Sequence, residues 1–102
     1  MFTVSNTDLN RMQTLGRLTV VMYDQAALEE AAEYLAVAKL EDAKNDTSNY
    51  TRLWIWFEEG ARNYVGSQHR LDVLQEQLRA RVDQLYREST KPQLRQAYRK
   101  AV

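Results

Sequence analysis

A chain of 102 residues fits one domain with a modest core, to which a second subunit would add apolar cover. Fourteen basic and fourteen acidic residues cancel and there is no cysteine, which excludes disulfides and thiolate metal sites and suits a reducing compartment. Three glycines and one proline favour long helices over β-turns.

No apolar run approaches the roughly 18 residues of a membrane span. Residues 1–6 lack the basic region and apolar core of a signal peptide. The expectation is a soluble, cytoplasmic protein with no membrane association. The charge is unevenly spread: segment 24–46 holds seven acids against two bases, and segment 79–102 holds seven bases against two acids.

Taken in order, Asn6 or Thr7 is placed to cap a first helix, with Asp8 favourable for its dipole. Leu15, Leu18, Met22, Leu28, Ala32, Leu35 and Ala38 recur at helical spacing. Gly16 interrupts the stripe; in a helix it costs up to about 1 kcal/mol against alanine or else permits a close helix contact. Asp24 is placed to cap a new helix, so 7–44 reads as one helix or two. Asn45-Asp46-Thr47-Ser48-Asn49 is the clearest loop; its two N-x-T sequons read as chance in a polar stretch.

Leu53-Trp54-Ile55-Trp56-Phe57 is a run of five large apolar residues holding both tryptophans. At about 100° per residue they point in every direction, which predicts a turn buried all round by neighbours or a partner. Phe57, in line with Leu53, Ala61 and Tyr64, is expected in the core, with one tryptophan at its edge. A second stripe continues through Leu71, Leu78, Val82 and Leu85, with a break allowed at Gly66-Ser67. Thr90-Lys91-Pro92 starts a last, short helix over 92–102.

The predicted class is all-α, one domain over 1–102. Arms 7–44 and 50–88 form an antiparallel hairpin of two long helices, or fold back at Asp24 and Gly66 into a four-helix bundle. The hairpin register would bring Trp54, Trp56 and Phe57 near Val37 and Ala38, and Leu78 near Leu15 and Gly16. It would also hold the acidic and basic segments at opposite ends, unable to satisfy each other within one chain. That separation motivates a homodimer.

Motifs for chemistry are absent: there is no phosphate loop, dinucleotide fingerprint or H-E-x-x-H zinc helix. His69, the one histidine, has Gly66 three residues before it, so the Glu-x-x-His pairing of di-iron bundles fails. Glu58-Glu59 lacks a partner base, nucleophile or metal. No cofactor, metal or catalytic residue is expected.

The function expected is non-enzymatic binding of another protein, as a small adaptor, an assembly factor or an inhibitor carried by a phage or mobile element. Candidate partner-binding residues are Trp54 and Trp56 as anchors, with Arg87, Arg95, Arg99, Glu29, Glu30 and Glu33 as the charged contacts. The alternative is nucleic-acid binding or regulation through the basic segment 79–102.

Overall fold

The computed structural model describes residues 4–62 and 67–88, the side chains of 67–70 excepted. The expected helix 92–102 lies outside them. The described residues form four α-helices and no strand: α1 (Asn6–Met22), α2 (Gln25–Asn45), α3 (Asn49–Ala61) and α4 (Ser67–Glu88). The all-helical expectation holds.

Each helix end has a local cause. Ser5, not Asn6 or Thr7, caps α1: its hydroxyl accepts from the Asp8 N–H, while the Asp8 carboxylate accepts from the Ser5 N–H. This reciprocal box satisfies two otherwise orphaned donors. α1 stops at Tyr23, which is left-handed (φ 52°), and the Tyr23 and Asp24 N–H groups both donate to the Leu18 carbonyl. Asp24 then caps α2 through the Ala26 and Ala27 N–H groups, as expected. The loop is shorter than predicted, since Asn45 closes α2 and Asn49 opens α3.

The N-terminus of α3 is held from a distance. Ser48 makes no capping bond with its side chain. Instead the Asp42 carboxylate, on the last turns of α2, accepts from the Asn49 and Tyr50 N–H groups at 3.0 and 2.8 Å. An anion at this position satisfies orphan donors and meets the positive end of the helix dipole.

α2 touches all three other helices, and its buried side chains include Ala27, Ala31, Ala32, Ala36 and Ala38. Small residues on two sides of one helix let neighbours approach from both. The most extensive contacts are α1 with α3 and α2 with α4. A straight two-arm hairpin would pair α1 with α4 and α2 with α3, so the contacts correspond to folding back at Asp24 and after Arg62.

This changes the predicted register. Gly16 lies against the backbone of Phe57, in α3, and Gly60 lies against the backbone of Gln13. At each glycine a Cβ would collide with the facing carbonyl oxygen. The two helices therefore cross at a point where only hydrogen fits, an arrangement suited to Cα–H···O contacts. Phe57, Met12, Leu15, Leu35, Leu53, Leu78 and Val82, drawn from all four helices, are fully buried in the core. Met22, counted in the predicted stripe, is instead 67% exposed because α1 ends there.

Folding back also overturns the separation of charges. Arg81 of α4 grips Glu29 of α2 with two guanidinium nitrogens, at 2.8 and 2.5 Å. Lys39 reaches Asp83 at 3.2 Å and lies 4.7 Å from the centre of the Tyr86 ring. The acidic and basic segments satisfy each other in part within one chain, and the charge argument for a homodimer falls with that.

Candidate functional site

The aromatic turn of α3 is not buried all round. Leu53 and Phe57 are fully buried and Trp54 nearly so. Trp56 is half-buried, packed against the core from its edge. Ile55, between the two tryptophans, is 58% exposed. Among the described residues, α1, α2 and α4 leave one side of α3 uncovered, and Ile55 stands in it. A β-branched apolar residue there gains nothing from helix propensity or from burial.

Trp54 is bound into the molecule. Its ring meets Tyr50 and Phe57 edge-on at centroid distances of 6.3 and 5.8 Å. The Arg79 guanidinium lies 5.4 Å from its ring centre, within reach of a cation–π attraction. Glu58, one turn further along, accepts from the Gln75 amide at 2.9 Å, so these two contacts line the seam between α3 and α4.

Around Ile55 the free side of α3 carries Arg52 and Glu59. Successive steps of about 100° place Arg52, Ile55 and Glu59 within an arc of about 60°. Both charged residues are exposed. Neither side chain makes a hydrogen bond or ion pair among the described residues. The face therefore reads, from its N-terminal end, as a cation, an apolar centre flanked by Trp56, and an anion.

The remaining predicted contacts lie elsewhere. Glu29 and Glu30 share α2 but serve different neighbours: Glu29 binds Arg81, and Glu30 binds Arg11 of α1 through two nitrogens at 2.6 and 2.8 Å. The hydrogen bond from Arg81 holds the Glu29 carboxyl below its usual range. Glu33, next on the same face, is pushed up by burial and by the charges of Glu29 and Glu30. Arg87 donates to the Asp83 carbonyl at 3.3 Å. Arg95 and Arg99 lie outside the described residues, as does the His69 side chain. Among the described members of the predicted set, Glu29 and Glu30 are committed to bonds inside the fold, Trp54 to its packing, and Trp56 borders the uncovered face. Ile55, Arg52 and Glu59 were not singled out from sequence, although their i, i+3, i+7 spacing marks them as one helical face.

No group of three or more His, Asp or Glu side chains able to hold a metal ion occurs among the described residues. No helix among them is long and apolar enough to cross a membrane. Comparison with models of known families, with curated proteins and with solved structures returned no match.

Proposed function

We propose that this chain is a small cytoplasmic four-helix bundle that works by binding another protein, as an adaptor, assembly factor or inhibitor, without catalysis. The observation that supports the reading is the exposed Ile55 beside the half-buried Trp56 on the free side of α3. Single exposed apolar residues are ordinary. This one sits mid-helix, between charged neighbours, with an aromatic at its edge. Fully desolvated tryptophan at the centre of a contact is a common source of binding energy. Covering Ile55 would complete the burial of Trp56 as well.

The nucleic-acid alternative has less to draw on. Within 79–88, Arg81 is engaged by Glu29, Arg87 by a backbone carbonyl, and Arg79 lies over Trp54. A phosphate-tracking surface needs its cations free of such bonds.

The test uses the full chain as bait in a lysate of its native cell, beside an Ile55→Lys variant of the same fold. A protein retained by the wild type and lost by the variant is the expected result. Equal retention by both rejects α3 as the binding face. Salt-sensitive retention of DNA or RNA, unaffected by Ile55→Lys, would establish the alternative.

A further inference from the structure

We infer that the free face of α3 pairs with the same face of a second copy of this chain, the two helices running antiparallel about a two-fold axis. The inference deepens the protein-binding reading, on which it rests, by naming the occupant of that face. It follows from how the face is laid out. Arg52 and Glu59 lie equally far on either side of the point between Ile55 and Trp56.

Place a two-fold axis at that point. Arg52 then faces Glu59 of the second copy, and Glu59 faces its Arg52. Ile55 and Trp56 stand about 50° to either side of the line between them, so Ile55 meets Ile55 of the second copy on one side and Trp56 meets Trp56 on the other. An isologous contact requires this kind of self-complementarity, in which residue i meets j and j meets i. A parallel pairing would set Arg52 on Arg52 and Glu59 on Glu59, which like-charge repulsion disfavours. Both charged groups are exposed and lack an ion pair among the described residues, so the pairing breaks no bond among those residues.

The apolar centre supplies the attraction. Ile55 loses its exposure and Trp56 the remainder of its own. α3 has 13 residues, a contact about 20 Å long. A surface of that length falls at the small end of specific interfaces, below about 1,200 Å². Interfaces of that size include weak and transient encounters, so the dimer is expected to form and separate with concentration.

Sedimentation equilibrium on the full chain at tens of micromolar tests this, with far-UV circular dichroism and melts as controls of folding. The wild type is expected to self-associate. Arg52→Glu alone and Glu59→Arg alone should each weaken the dimer about tenfold or more, since each sets like charges face to face. Mixing these two variants should restore association as a heterodimer, because every Glu then faces an Arg. Ile55→Lys should give a monomer with an unchanged melt. A wild type that stays monomeric throughout overturns the self-pairing and leaves the binding of other proteins to the bait experiment. A dimer indifferent to all three substitutions places the interface elsewhere. Failure of the mixed variants to recover overturns the antiparallel arrangement.

Discussion

α1 meets α3 and α2 meets α4 by opposite means. At the first contact, glycines bring backbone against backbone, with Gly16 on Phe57 and Gly60 on Gln13. At the second, long side chains span the space: Arg81 to Glu29, and Lys39 to Asp83 with Tyr86 beside it. Backbone contact is short-ranged and steep. It gains from dispersion and close fit, and it fails when one methyl group is added. Charged contact is longer-ranged and forgiving of geometry, but salt and acid erode it. The chain thus holds one pair of helices by shape and the other by an apolar stripe laced with titratable groups.

The largest effects should come from the shape side. Phe57 is fully buried, and Phe57→Ala should cost about 3–5 kcal/mol in thermal or denaturant unfolding. Gly16→Ala is the sharper test. Helix propensity alone predicts a gain of about 1 kcal/mol. The facing carbonyl reverses the sign, because the helices must separate to admit the new carbon, at about 2–3 kcal/mol net. A Gly16→Ala protein that melts higher than wild type would show that the helices do not cross at this point.

The charge side should respond more weakly and with a pH signature. The Arg81–Glu29 pair is about one-third exposed at each end, so solvent screening limits it to about 1 kcal/mol. Arg81→Met keeps the stem and removes the charge. Glu29 is held below its usual range by Arg81. Its contribution is therefore present above the unfolded-state pKa and is lost as pH falls through the folded one. Arg81→Met should accordingly be less stable than wild type at pH 7, and the gap should narrow as pH falls below the ordinary carboxylate range. Glu33 has the opposite sign. Its folded pKa is raised, so its contribution is full below the unfolded-state pKa and is lost as pH rises through the folded value. Glu33→Gln should raise the melting temperature at pH 7 and change little at about pH 3. A pH-independent loss in Arg81→Met would assign its effect to packing of the side-chain stem.

How much of this the sequence discloses depends on range. Asp24 is a legible cap because it bonds to residues two and three ahead. Ser5 with Asp8 is equally local, although its box carries Asp where Glu or Gln is usual. Asp42 is different. Its partners lie seven and eight residues on, across a turn, so no cap pattern reveals it. The stripes correctly mark Leu15, Leu35, Phe57, Leu78 and Val82 as core. A stripe says which side of a helix is buried, but not by which neighbour. That is why a two-arm hairpin and a folded-back bundle read alike, and why Gly16 was legible as a close contact while its partner Phe57 was not. The run 53–57 misled for a related reason. Five apolar residues in a row imply burial all round, yet a helix at the edge of four has a free side, and Ile55 occupies it.

The smallest effect concerns chemistry on the buried side of α1. Thr19 lies on α1 one turn beyond Gly16, is 1% exposed, and its hydroxyl has no hydrogen-bond partner among the described residues. A buried hydroxyl without a partner carries its desolvation cost uncompensated, whereas an apolar group of the same outline does not. Valine matches threonine in branching and differs little in helix propensity. Thr19→Val should therefore fill the same space and raise stability by about 0.5–1 kcal/mol. In a domain of this size that is a rise of a few degrees in melting temperature. The substitution also separates the two ways α1 could tolerate change. If shape alone governs the buried side of α1, Thr19→Val is gained and Gly16→Ala is lost, although each alters a single group there. A lower melting temperature for Thr19→Val would mean that the hydroxyl donates to a neighbouring carbonyl in solution, and that the buried side of α1 too depends on polar chemistry.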